Sequence, residues 1–137
     1  MATAPIFVGT PKNGKVQIVA ADASANKTVV TVGTNGSKII SLNLQSDDTS
    51  ARDVRVSIVN GGTTYPLGVV TVPIGAGASG TVPSVNALDL SKIPGLPIDT
   101  DGNPFVLLIT GDTFVVNALT TVTAAKTITA IAIYGDF

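Results

Sequence analysis

Histidine, cysteine, tryptophan and glutamate are all missing from this chain, so its nine acidic side chains are all aspartate. Without histidine or cysteine, the commonest general base, the commonest metal ligand and the readiest nucleophile are gone. No disulfide or thiolate zinc site can form, which fits a reducing compartment and leaves stability to packing and sheet pairing. Charge is also scarce, at 12% of residues with a formal net charge of −1. Neither a basic stripe for nucleic acid nor a polybasic patch for an anionic membrane is present, and no partner of either kind is expected. No run approaches the roughly 20 apolar residues that a membrane helix needs, and the first ten residues carry no basic leader. The expectation is a soluble, unprocessed product of the cytoplasm, not an enzyme, with no cofactor and no metal.

What is present is the alphabet of short strands and tight turns: Val, Ile, Thr, Ala, Gly and Asn, with 45% of residues hydrophobic. β-Branched side chains pack well on a pleated sheet. A free monomer usually carries about 25–35% charged residues on its surface, so a chain this poor in charge is expected to have part of its surface covered, as a homo-oligomer or by a partner.

Period-two alternation recurs while helical periodicity is hard to find. Strands are expected over residues 15–20, 28–33 and 38–45, with Asn35-Gly36 as a hairpin turn between the second and third. In the third, Ile40, Leu42 and Leu44 alternate with Ser41, Asn43 and Gln45, predicting one face in and one out. Val54, Val56 and Ile58 continue the pattern into Asn60-Gly61-Gly62 and a return strand over 63–72. There Pro66 predicts an edge or a bulge, because proline cannot donate to the ladder. Residues 75–80 read as a flexible break, 81–85 as a strand, and 86–97 as irregular with room for one helical turn. A second hairpin is expected over 105–109 and 113–116 with its turn at Thr110-Gly111-Asp112. A final strand over 127–134 is apolar on both faces, hence central in its sheet or buried by a neighbour. The pattern predicts an all-β, single-domain β-sandwich, jelly roll or small barrel of about eight antiparallel strands, with residues 1–12 as an extended arm and 13–137 as one β-domain.

No candidate site outweighs its plainer reading. Asp99, Asp101 and Asn103 beside Gly102 form an oxygen-rich loop of the kind that holds calcium, but no glutamate follows, and the same residues make a good turn. Ser46, Asp47, Asp48, Thr49 and Ser50 offer hydroxyls beside carboxylates without a histidine base. The glycine-rich stretch from Gly75 to Gly80 lacks the lysine and helix of a phosphate loop. Phe7, Phe105, Phe114, Phe137, Tyr65 and Tyr134 are too scattered for a base-stacking platform and suit core or interface anchors. Arg52 and Arg55, the only arginines, lie near Asp47, Asp48 and Asp53 and are placed either as an exposed pair or as an intersubunit contact.

Several segments, Pro5-Ile6-Phe7-Val8-Gly9-Thr10-Pro11-Lys12, Thr34-Asn35-Gly36-Ser37-Lys38-Ile39, Asp47 to Val54, Gly61 to Gly68, Leu96 to Pro104 and the terminal Gly135-Asp136-Phe137, resemble small structural virion proteins of tailed bacteriophages, of the capsid-decoration or cement type. The resemblance implies a β-rich subunit, a homotrimer in many such proteins, made in the host bacterial cytoplasm. It would sit on the capsid surface of the virion and clamp adjacent copies of the major capsid protein. Tail-tube or other tail-associated proteins of the same phages are the nearest alternative, and a glycan-binding jelly-roll adhesion module is the next. The residues assigned to partner binding are Pro5, Ile6, Phe7 and Val8 on the arm, Arg52, Arg55 and the terminal Phe137, and the arm is expected to reach a neighbouring subunit.

Overall fold

The computed structural model describes residues 9–137. Nine strands, β1 (Thr10–Val19), β2 (Lys27–Thr31), β3 (Ser37–Ser46), β4 (Arg52–Asn60), β5 (Thr63–Val72), β6 (Val85–Asn86), β7 (Val106–Leu108), β8 (Thr113–Ala118) and β9 (Thr127–Asp136), account for nearly all the regular structure, with one 3₁₀ turn at Ala20–Asp22. All pairings are antiparallel. One sheet runs β1-β9-β3, with β6 and β7 both pairing β3; the other runs β2-β8-β4-β5. Taking β6 and β7 as two pieces of one interrupted strand, this is the two-sheet order of a jelly roll, so the expected sandwich is what the chain forms.

The chain changes sheet at most of its connections, and that corrects two expectations. Asn35-Gly36 joins β2 to β3, and Thr110-Gly111-Asp112 joins β7 to β8, but in each case the two strands lie in different sheets. They are corners between sheets, not hairpins. Gly36 and Gly111 do take positive φ (92° and 94°), so the turn chemistry was legible while its destination was not. Gly61-Gly62, both at positive φ, closes the β4–β5 hairpin within one sheet, with Asn60 opposite Thr63.

Other differences are local. Ile40 was expected inward, but a register shift between Ile39 and Ser41 makes it a bulge: Ile39 is buried and Ile40 is 49% exposed. Residues 10–12 of the expected arm belong to β1, paired with the end of β9; residues 1–8 of the arm lie outside the described residues. The strand expected over 81–85 shrinks to Val85–Asn86. The stretch from Gly75 to Gly80 is not a free connection, since Ala76 is fully buried and its carbonyl accepts the Ser46 N–H, while the Gln45 amide donates to the Gly77 carbonyl. The helical turn within 86–97 is there, where the Asp89 carbonyl accepts from both Lys92 and Ile93. Pro66 lies on β5, an edge strand, beside a register shift that leaves Leu67 unpaired.

β9 is central, between β1 and β3. Its Ile128, Ala130 and Ala132 point into a core shared with Ile18, Leu42, Leu44, Val54, Val56, Phe114 and Val116. The alternate residues Ile131 and Ile133 face outward, flanked by Lys15 and Asn13 on β1 and by Asn43 and Ser41 on β3. Gly14 on β1 sits where any Cβ would run into the Val29 carbonyl of β2, so glycine is what lets the two sheets approach there.

Two substitutions test this packing with opposite signs. Phe114 is the largest fully buried side chain, and Phe114→Ala should cost about 3–5 kcal/mol in urea denaturation. The Ser57 hydroxyl, buried on β4, has no hydrogen-bond partner among the described residues. Ser57→Ala removes an unpaired polar group and should raise stability by about 1 kcal/mol; a loss of that size would mean that the hydroxyl is bonded.

Candidate docking surface

The row Thr10, Asp136, Ser37, Leu108 runs across β1, β9, β3 and β7 at one end of the sandwich. Asp136 organises it. Its Oδ1 accepts from Ser37 Oγ at 2.7 Å, its Oδ2 pairs with Lys12 Nζ at 2.6 Å, and its backbone carbonyl accepts the Gly9 N–H at 2.8 Å. The Lys12 ammonium first, and the Ser37 hydroxyl second, hold the Asp136 carboxyl below its ordinary value. Phe137 follows, its N–H bonded to the Gly36 carbonyl at 3.1 Å.

Beside Phe137 lies an open groove of about 690 Å³ walled by Phe105, Leu107, Leu108, Ile109 and Gly36, with Asn35, Lys38 and Thr110 on its rim. Leu107 is 53% and Ile109 69% exposed. Lys38 Nζ sits 4.6 Å from the Phe105 ring centre, so the one charged side chain at the groove is turned onto an aromatic face. Gly36 is required in the floor: a Cβ there would lie 2.8 Å from the Leu108 carbonyl, at a backbone φ of 92°. Of the residues assigned to binding from sequence, Phe137 alone lies here among those described; Pro5, Ile6, Phe7 and Val8 lie outside the described residues. Leu107 and Ile109 were missed, although Val106-Leu107-Leu108-Ile109 is an unbroken apolar run that a strand covered on one face cannot bury completely.

A second hollow of about 300 Å³, lined by Ile58, Leu67, Ile93, Leu96 and Pro97, lies on the other side of Leu107. It belongs to the long connection over residues 87–105. Inside this connection Ile93 and Leu96 are buried, while Leu90 (40%) and Ile98 (53%) face outward. Asp99 Oδ1 accepts the N–H groups of Asp101 and Asn103, and Gly102 takes a φ of 82°, so these residues form the turn that competed with a calcium loop. Among the described residues no three Asp, Glu, His or Cys side chains gather as metal ligands would.

Arg52 is not part of an exposed surface pair, one of the two roles expected for it. Its Nε lies 2.8 Å from Asp48 Oδ2 and its terminal nitrogen 2.9 Å from Thr123 Oγ1, at a site where the Asp48 side chain is fully buried. Asp48 also accepts from Ser50 N–H, Thr123 N–H and Thr123 Oγ. This pair is a largely buried corner of the fold and not an exposed one. Arg55 is half-buried on β4, opposite Asn117 and Val69. Asp47 accepts the Thr127 N–H and Asp112 receives Asn60 Nδ2 and Ile109 N–H, so the aspartates weighed for chemistry are spent on separate turns.

No protein-family model matches the chain, and no curated protein matches it. Among solved structures it is similar to the Drosophila NLP core, whose crystal structure concerns pentamer formation and histone binding, at 9% identity over 93% of this chain and 97% of that one with a TM-score of 0.47. It is also similar to a chain of the cyanophage Pam1 capsid asymmetric unit, at 18% identity over 98% of this chain and 89% of that one with a TM-score of 0.45.

Burial raises the Asp48 pKa, but the hydrogen bonds from Arg52, Thr123 and Ser50 outweigh it and drive the net value down from 3.8. A depressed carboxylate contributes stability that is present above the unfolded value and lost as pH falls through the folded one. The chain should therefore lose stability progressively below about pH 4. Asp48→Ala should cost about 3–5 kcal/mol at pH 7, since it leaves Arg52 and two N–H groups unpaired, and should flatten the acid limb of a stability–pH curve. An unchanged acid limb would assign that limb to another carboxylate.

Proposed function

We propose that this chain is a structural, non-enzymatic virion protein that binds the outside of a tailed-bacteriophage capsid as a homo-oligomer and contacts adjacent major capsid proteins. The observation that carries the reading is the connection over residues 87–105. Connections longer than about 12–15 residues in compact domains are usually functional, and this one turns Leu90 and Ile98 to solvent above an apolar underside. Of its four charged side chains three are aspartate, and its one cation, Lys92, is paired with Asp89 at 3.0 Å. Such a surface suits association with protein in place of charge-led recognition of nucleic acid or anionic lipid. The end-to-end resemblance to phage decoration proteins supplies the partner, and the jelly roll is an architecture that viral shells use.

The energetics are those of many weak contacts acting together. A standard interface buries about 800 Å² per partner, and each buried Å² of apolar surface contributes about 25 cal/mol before association entropy is subtracted. Repetition over a shell then adds avidity without new contacts.

The deciding measurement is the copy number of this chain relative to the major capsid protein in purified virions. A ratio near one supports decoration, a handful of copies moves the protein to the tail or a spike, and absence from the particle overturns the reading. At residue level, the double substitution Leu90→Asp and Ile98→Asp should leave folding within about 0.5 kcal/mol, because both positions are exposed. It should weaken shell binding by at least about tenfold, as hot-spot losses above 1 kcal/mol per residue imply.

A further inference from the structure

We infer that a second copy of this chain packs against the outward face of the five-stranded sheet, centred on β9. The inference gives a surface to the homo-oligomer of the proposed function and rests on that part of it alone. β9 lies between β1 and β3, yet it turns Ile131 and Ile133 away from the core, and Ile133 is 46% exposed. The bulge of β3 brings Ile40, 49% exposed, beside Ile133. β9 already has a ladder partner on either side, so only another layer laid on this face can bury the three isoleucines.

The surroundings of this centre suit a copy of itself. Asn13 and Gln17 on β1, Thr129 on β9, and Ser41 and Asn43 on β3 share the outward face. Amides and hydroxyls each donate and accept, so such a rim can bond to its own copy, which a rim of one charge sign cannot. An apolar centre inside a polar, charge-poor rim is also the usual anatomy of a protein interface. Asp136, the only aspartate in the three strands, is bonded to the buried Ser37, and Lys12 is paired with it. The two lysines on the face stand far apart, Lys15 on β1 level with Ile131 and Lys38 on β3 level with Gly135. A two-fold axis in the contact plane through Ile133, along β9 or across it, sets each lysine against Pro11 or Asn43 of the second copy and never against its own like. An acidic partner would instead be met by lysines gathered together. Four strand positions at about 4.8 Å and the ten residues of β9 at about 3.4 Å give a face of roughly 650 Å². A standard interface buries about 800 Å² per partner, so the face is of the size that a stable dimer needs.

Sedimentation equilibrium of the whole chain at micromolar concentration should show a dimer, because a face packed on its own copy closes at two. A monomer or a trimer would overturn the inference. Ile40→Lys with Ile133→Lys places unpaired cations at the centre of the contact and should leave a folded monomer, since both positions are exposed enough for the fold to tolerate the change. The matched pair Leu90→Lys with Ile98→Lys, on the 87–105 connection, should leave the dimer intact. A persistent dimer in the first variant, or a monomer in the second, would overturn the inference. Where circular dichroism shows the first variant unfolded, Ile40→Thr with Ile133→Thr, which keeps the branched shape, is read in its place. Its dimer dissociation constant should rise at least about tenfold, and an unchanged constant would overturn the inference. These readings need no virion, so dimerisation and the copy number in particles fail separately.

Discussion

The buried Asp48 carboxylate is the constraint on which the rest of the architecture depends. A jelly roll passes the chain back and forth between two sheets, and each passage exposes backbone groups that neither ladder satisfies. Asp48 collects those of two passages at once, Ser50 from the β3–β4 connection and Thr123 from the β8–β9 connection, with Arg52 neutralising the charge. Burying a carboxylate is costly unless it is both paired and fully hydrogen-bonded, and here it is both. Asp47 next to it accepts the N–H of Thr127, where β9 starts. The register of β9 against β3 is therefore set at this end, from Ser46 opposite Ile128, and carried along the ladder to Ser37 opposite Asp136. A slip of one residue would exchange the small inward Ala130 and Ala132 for the outward Ile131 and Ile133, and would displace Phe137 from the groove.

Sequence patterning reveals what is local and misses what is shared between distant segments. The inward Val54 and Val56, the Gly61-Gly62 turn and the edge position of Pro66 follow from period-two packing, positive φ or a missing donor and are found in place, whereas Ser57, read as an alternating polar position, is fully buried. Asn35-Gly36 and Thr110-Gly111-Asp112 are turns as read, yet turn chemistry specifies only the reversal. Which sheet receives the next strand is decided by core packing many residues away. Ile40 illustrates the same limit, since a bulge changes the parity of a strand without leaving a mark in its alternation. The candidate site was less legible. Phe137 could be picked out as an anchor, but its neighbours come from the β2–β3 corner and from β7, which only the topology brings to one end. Arg52 does pair with Asp48, one of the aspartates near it in sequence, but that proximity said nothing of burial beside Thr123.

The distribution of apolar surface has a logic that the composition alone conceals. Sheet edges invite uncontrolled pairing, and three of the four here are blunted. β1 begins with Pro11, Lys12 and Lys15, β5 carries Pro66 beside a bulge, and β2 is short and irregular at Val29. The fourth edge is divided between β6 and β7, with the connection over residues 87–105 between them. At this edge neither proline nor unpaired charge interrupts Val106 to Leu108, and the exposed Leu107, Ile109 and Ile98 gather around it.

An edge left apolar while its counterparts are protected implies a cover. The low overall charge has the same meaning, since solubility of the free chain would be served by charge at this surface first. The outward side of the 87–105 connection meets the groove at Leu107, which lines both hollows. In the proposed reading this apolar edge is the face by which copies would associate with a shell.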